Sequence, residues 1–193
     1  MNSKKIGLYL GTFDPFHKGH YFSIENSLNL VNEIIIQPHN QKKQPKHISL
    51  EHRLNMCKLG SSNLKRVRIR DEKRNVYDLR KDGKYRFQLV KWVEEEIGQA
   101  PTIIMGADKL NGDMYKDPKS ELLKFPHIIF LRQETQTKSI LDIKNHFKEV
   151  YILKEIGTIS SSNIRRLIKR GTDVSNFLPE NVLRYIQENK LYI

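Results

Sequence analysis

The stretch that most constrains this chain is Gly11-Thr12-Phe13-Asp14-Pro15-Phe16-His17-Lys18-Gly19-His20. Ahead of it, Ile6 to Leu10 is a short apolar run of strand composition, and behind it Ile24, Leu28 and Val31 recur at helical spacing. The decapeptide therefore sits where a strand turns into a helix. His17 and His20 fall on one face of that helix's first turn, so both imidazoles point at the same ligand. A helix N-terminus offers N–H groups without intrahelical partners and the positive end of the macrodipole. Gly11 and Gly19 let backbone approach a ligand closely. The combination reads as a polyphosphate cradle, the alternative being an ordinary strand-to-helix turn with two surface histidines. Neither a Gly-x-Gly-x-x-Gly fingerprint nor a Gly-x-x-x-x-Gly-Lys loop occurs, and the histidines stand in their place.

The rest of the chain alternates between strand and helix patterns. Glu33 to Gln37 carries Ile34-Ile35-Ile36 and ends at Pro38, which predicts a second buried strand and a β-α-β unit. From Pro38 to Ile48 the chain is polar and basic, a loop at the carboxyl ends of the strands where open α/β sheets bind ligands. Lys42, Lys43 and Lys46 there either meet phosphate or are simply solvated. Ser49 is a fitting N-cap for a helix through Lys58 that turns Leu50, Leu54 and Cys57 inward and Arg53 to the other face, with Gly60 stopping it. Arg66 to Arg70 reads as a half-buried strand, Asp71 to Gly83 as irregular, and Tyr85 to Ile97 as a helix with Phe87, Val90 and Ile97 on its apolar stripe. Trp92 is read as core rather than as a ring at the edge of a site.

Thr102 to Met105 is a short buried strand ending in Gly106-Ala107-Asp108. A carboxylate there suits a ribose hydroxyl or a metal-bound water, unless the segment is only a turn. Phe125 to Leu131, with Arg132 at its tip, and Val150 to Leu153 are further strands. Ile159-Ser160-Ser161-Ser162-Asn163-Ile164-Arg165 opens a helix that stops at Gly171, a second anion-binding N-terminus. Serines cap helices in any protein, but hydroxyls together with Arg165 one turn later suit the outer groups of a triphosphate. Pro179 begins a last helix that packs through Val182, Leu183, Tyr185 and Ile186. Four or five strands alternating with helices, without internal repeats, predict an α/β fold: a Rossmann-like, doubly wound parallel sheet with helices on both faces. A single domain over 1–193 is expected, with the C-terminal helices from about 160 packed on it.

No signal-like segment and no apolar run long enough to span a membrane is present, so a soluble, cytoplasmic protein is expected. Cys57 is the one cysteine, which rules out an internal disulfide and suits a small buried side chain. A formal charge of +12 and a pI near 9.7 favour anionic partners, although a lysine-rich composition explains both equally well. The basic residues are scattered and aromatics do not interleave with them as a stacking platform needs, so no nucleic-acid partner is expected.

Gly-Thr-Phe-Asp-Pro-x-His-x-Gly-His resembles the T/HxGH signature of the adenylyl- and cytidylyltransferase superfamily. Ile159-Ser-Ser-Ser-x-Ile-Arg165 is similar to its ISSTxxR signature. Gly106-Ala107-Asp108, Arg53-x-x-Met56 and the ending Val182-x-x-Tyr185-Ile186-x-x-x-Lys190-Leu191-Tyr192 resemble the nicotinate and nicotinamide mononucleotide adenylyltransferases, particularly the bacterial nicotinate-nucleotide enzymes. The resemblance implies transfer of an adenylyl group from ATP to a pyridine mononucleotide, with Mg²⁺ as cofactor and no metal ligand named in the chain. It implies His17 and His20 as catalytic residues, His20 nearest the bridging oxygen. ATP would be held by Gly11, Thr12, Phe13, His17, Gly19, His20, Gly106, Asp108, Ile159, Ser160, Ser161 and Arg165. The mononucleotide falls to Asp14, Lys43, Arg53, Tyr85 and Arg132. The rivals are a pantetheine-phosphate adenylyltransferase, a cytidylyltransferase, and a basic nucleic-acid-binding protein on a degenerate scaffold. The chain departs from the family where Pro-Pro-His-Lys and Ser-Tyr-Thr segments are usual, carrying Lys42-Lys43-Gln44 and Gly83-Lys84-Tyr85-Arg86-Phe87. Met114 and Tyr115 stand near the position of a usual tryptophan. Nicotinate mononucleotide is the expected substrate, with nicotinamide mononucleotide weaker or comparable.

Overall fold

Six short apolar strands build the centre of the molecule: β1 (Ile6–Gly11), β2 (Glu33–Pro38), β3 (Val67–Ile69), β4 (Thr102–Gly106), β5 (Pro126–Leu131) and β6 (Glu149–Lys154). They pair in the order β3-β2-β1-β4-β5-β6, every pair parallel. The computed structural model describes residues 4–39, 48–72, 85–111, 115, 117–131, 140, 144–154 and 160–193. Six strands replace the four or five expected. The two edge strands carry the weakest patterns, β3 because it is three residues long with all three only half-buried, and β6 because it is half-buried nearly throughout.

Helices cover both faces, which is why the inner strands are apolar on both sides. Along β1 the side chains alternate: Leu8 and Leu10 join one core with Ile35, Met105 and Ile129, and Tyr9 joins the other with Ile34, Ile36 and Ile128. The first core is closed by α3 (Tyr85–Ile97) through Leu89, Val90 and Val93. The second is closed by Ile24 of α1 (Lys18–Ser27), Met56 and Cys57 of α2 (Leu50–Gly60), Ile164 of α4 (Ser161–Lys169), and Val182 and Ile186 of α5 (Glu180–Glu188). Leu191, beyond α5, seats in that same core.

Three details of the helices differ from their sequence patterns. Arg53 is not on the outward face of α2 but only 2% exposed, because two backbone carbonyls receive its guanidinium. α2 runs on past Lys58 to end at Gly60, whose lack of a side chain also serves packing: a Cβ there would sit 2.2 Å from Cδ1 of Phe16. The buried stripe of α3 is Leu89-Val90-Val93, with Phe87, Trp92 and Ile97 half-buried on its flanks. Ser49 and Ser160 cap α2 and α4 as their positions predict, accepting from His52 N and Asn163 N at 3.3 Å each. Among the described residues no helix is long and apolar enough to cross a membrane.

Because β2 lies on one side of β1 and β4 on the other, the strand order reverses between β1 and β4. The loops leaving those two strands diverge there and open a crevice at the carboxyl edge of the sheet.

Candidate active site

The wall of that crevice begins with the loop after β1. Phe13 takes a left-handed conformation, φ 53°, which a bulky residue adopts only when its surroundings impose it. Its ring is buried edge-on against Tyr9, centroids 5.3 Å apart, and beside Phe16 at 6.1 Å. The loop then delivers His17 to the N-cap of α1 in extended conformation, φ −139° and ψ 170°. The His17 backbone N–H donates to Nδ1 of His20 at 3.2 Å, and the two rings stack at 3.7 Å with 25° between their planes. With Nδ1 accepting, the neutral His20 ring carries its proton on Nε2, a donor for a ligand oxygen.

Two further segments complete the crevice, a cavity of about 270 Å³. Gly106, Asp108 and Lys109 follow β4, where the Lys109 ammonium pairs with the Asp108 carboxylate. Ser160, Ser161, Ser162 and Arg165 come from the N-terminus of α4. That terminus is latched to the loop after β1: Ser161 Oγ donates to Pro15 O at 3.1 Å, and Arg165 Nη1 donates to Asp14 O. Two histidines, a basic side chain on each facing wall and two helix N-termini make the crevice suited to an extended polyanion.

Behind the loop lies a set of buried charges. Arg53 Nη1 donates to Thr12 O at 2.9 Å and its Nε to Ile48 O at 3.3 Å. Burial pulls its pKa down, and the neighbouring Asp14 charge acts against that. Asp14 is fully buried, and the Tyr192 hydroxyl donates to its Oδ1 at 2.6 Å. Burial and the Asp14 charge push the Tyr192 hydroxyl far above its ordinary pKa, so it stays a donor.

Gly11, Thr12, Phe13, Asp14, His17, His20, Gly106, Asp108, Ser160, Ser161 and Arg165 all line this one cavity, drawn from three stretches of sequence. Gly19 does not line it: the residue is buried in α1, where its carbonyl accepts from Ser23 Oγ at 2.9 Å. Arg53 braces the loop from behind instead of facing the cavity, and the Asp14 carboxylate is engaged inward. Tyr85 opens α3 beside the buried His39, ring centroids 5.6 Å apart, and does not line the cavity. Lys43, Arg132 and Ile159 lie outside the described residues, as do Lys42, Lys46 and Met114. Sequence reasoning missed Lys109, which no motif flags; Tyr192 appears in it only as part of the family-like ending, without its bond to Asp14, which lies 178 residues away.

A parallel α/β sheet with stacked histidines at its first strand-to-helix turn, facing a serine- and arginine-bearing helix terminus across a switch-point cleft, defines a nucleotidyltransferase. The cytidylyltransferase-like family matches residues 8–167. Proteins named probable nicotinate-nucleotide adenylyltransferase from Borreliella burgdorferi and Borrelia garinii are 32% and 31% identical over 98% of this chain and 97% and 95% of their own. Two structures of the Plasmodium falciparum nicotinic acid mononucleotide adenylyltransferase, one complexed with APC and one with NaAD, share the fold. Their TM-scores are 0.72 and 0.73 at 22% and 21% identity, over 98% of this chain and 97% of theirs. The chain belongs to the cytidylyltransferase-like family and, within it, to the nicotinate-nucleotide adenylyltransferases.

Enzymes of this kind generally use a divalent cation. Among the described residues no three His, Cys, Asp or Glu side chains gather to hold one. The cavity's two carboxylates are unequal, since Asp14 is fully buried and Asp108 is paired with Lys109. This donor set fits a hard cation that arrives on phosphate oxygens and keeps most of its waters, not a protein cage.

Proposed function

We propose that the enzyme joins ATP and nicotinate mononucleotide into the dinucleotide with release of pyrophosphate, a step of NAD biosynthesis. The mononucleotide phosphate attacks the α-phosphorus of ATP in line. The new P–O bond forms as the bond from the α-phosphorus to the α,β-bridging oxygen breaks, and pyrophosphate carries the electron pair away on that oxygen. The observation that carries the reading is the stacked His17–His20 pair at the N-terminus of α1, held 3.7 Å apart across the cavity from Arg165. His20 Nε2–H donates to the oxygens on which charge builds, and His17 shares the phosphates. The hydroxyls of Ser160 and Ser161 with Arg165 hold the β and γ groups, and Asp108 takes the ribose or a water on the cation. Asp108 would meet the water shell of a bound Mg²⁺, which would supply shielding of the triphosphate charge.

Positioning and preorganised donors supply the rate in such a reaction, which needs no enzyme nucleophile. The buried Cys57 thiol, which burial pushes far up in pKa, has no part in it. The test is pyrophosphate release with ATP or CTP against nicotinate mononucleotide, nicotinamide mononucleotide and phosphopantetheine. Turnover of ATP with nicotinate mononucleotide is expected, with nicotinamide mononucleotide equal or slower by ~10-fold, the scale of one modest hydrogen bond. Turnover with phosphopantetheine alone overturns the assignment.

A further inference from the structure

Lys109 lines the cavity yet belongs to none of the motifs in the sequence. It follows Asp108 in a single 3-10 turn, Ala107–Asn111, that leaves the carboxyl end of β4. Among the described residues lining the cavity, Lys109 and Arg165 are the only lysine and arginine. Arg165 reaches it from α4 and gives Nη1 to the Asp14 carbonyl and Nη2 to Ser162 Oγ at 3.4 Å. Lys109 comes from the β4 side, where its ammonium pairs with Asp108 Oδ2. Among the described residues neither member of that pair has another partner. The two side chains are 48% and 35% exposed. An ion pair so open to water holds weakly, because solvent screens it and a long side chain loses rotamer freedom in making it. A triphosphate offers the same ammonium several anionic oxygens at once, and a flexible lysine with three donors can turn to meet them.

We infer that Lys109 is a ligand of the ATP triphosphate, which takes the ammonium over from Asp108 and leaves that carboxylate open to the ribose. The pair with Asp108 is then the resting arrangement of the free cavity. It keeps a carboxylate from standing uncompensated on the wall where a polyanion must enter, and its weakness makes the exchange inexpensive. With Arg165 on α4 and Lys109 after β4, the triphosphate is gripped by one full positive charge from each of two separate segments.

The inference rests on ATP being the nucleotide of this cavity, and the test separates the two. Binding of inorganic tripolyphosphate in metal-free buffer, of a non-hydrolysable ATP analogue and of adenosine is measured by calorimetry for wild type, Lys109→Met, Asp108→Asn and the double variant. Tripolyphosphate carries no ribose, so it reports on the ammonium without the other role of Asp108. Lys109→Met is expected to weaken both tripolyphosphate and the analogue by ~10-fold, the scale of a hydrogen bond to a charged group, and to change adenosine by less than about 2-fold. Asp108→Asn is expected to tighten tripolyphosphate by ~2–5-fold, since an exposed competitor for the ammonium is gone. In that background Lys109→Met is still expected to cost ~10-fold. If it costs nothing there, Lys109 only masks the carboxylate, and the inference is overturned. Unchanged tripolyphosphate binding in Lys109→Met, an equal loss on adenosine, or weaker tripolyphosphate binding in Asp108→Asn also overturns it, while the nucleotide assignment stands. Wild type that binds neither the analogue nor tripolyphosphate overturns both. If Lys109→Met proves unfolded by circular dichroism, Lys109→Gln supplies the same comparisons under the same criteria.

Discussion

At the scale of single residues, His20 carries two loads that differ in size. Its Nδ1 accepts the His17 backbone N–H, a cap-like bond whose loss costs about 0.5–2 kcal/mol of stability. In the proposed mechanism its Nε2–H meets charge that develops only as the α-phosphoryl bond breaks, and losing one preorganised donor of that kind costs ~10²–10³ in rate. His20→Ala is therefore expected to lower kcat by about two to three orders of magnitude, with a smaller rise in KM for ATP and a melting point lower by a few degrees. His146→Ala is the control: that side chain is exposed in a short 3-10 turn outside the cavity, and turnover should be unchanged. A His20→Ala enzyme within a few-fold of wild type in kcat would reduce the pair to a helix cap.

At the scale of elements, the site depends on how α2 packs beneath the loop after β1. Phe16 is fully buried between Phe13 and His20, with its ring centroid 5.4 Å from that of His20, and Gly60 supplies the space for it. Gly60→Ala puts a methyl 2.2 Å from Cδ1 and 2.6 Å from Cε1 of that ring, so the ring or the helix must shift. Overpacking of this kind costs about 1–3 kcal/mol. A lower melting temperature together with reduced kcat is expected, since the displaced ring pushes on His20; loss of stability with unchanged kcat would show the two to be uncoupled. Elements were legible from sequence wherever their cause is local. The strand–turn–helix from Ile6 to Ser27 and the serine caps of α2 and α4 are dictated by neighbouring residues. Arg53 was misplaced because a charged residue in a helix reads as outward, and only the Thr12 and Ile48 carbonyls, supplied by tertiary folding, make its burial favourable. The Gly60–Phe16 and Tyr192–Asp14 contacts join residues 44 and 178 positions apart, which no periodicity within one element can report.

At the scale of the whole molecule, the same doubly covered sheet that opens the switch-point cleft also buries a titratable group far from it. His127 of β5 is fully buried; its Nδ1 donates to the Phe125 carbonyl at 2.8 Å, and Tyr115 and Phe147 pack edge-on at 5.7 and 4.8 Å. Burial pushes its pKa down to about 4, the carbonyl acting weakly the other way. In the unfolded chain the ring takes a proton near pH 6.5, whereas in the folded protein it stays neutral to about pH 4. Across that window the unfolded state binds more protons, so stability falls as the pH falls, by ~1.4 kcal/mol per unit and about 3 kcal/mol in all. Above pH 6.5 and below pH 4 this group contributes no slope. His127→Phe fills nearly the same space without a titrating ring, so its unfolding free energy, measured by urea titration from pH 7 to pH 4, should lose that component of the slope. Other histidines and carboxylates titrate in both proteins and cancel in the difference. Equal slopes for wild type and His127→Phe would mean that the ring is protonated in the folded core, and that β5 opens to water at acid pH.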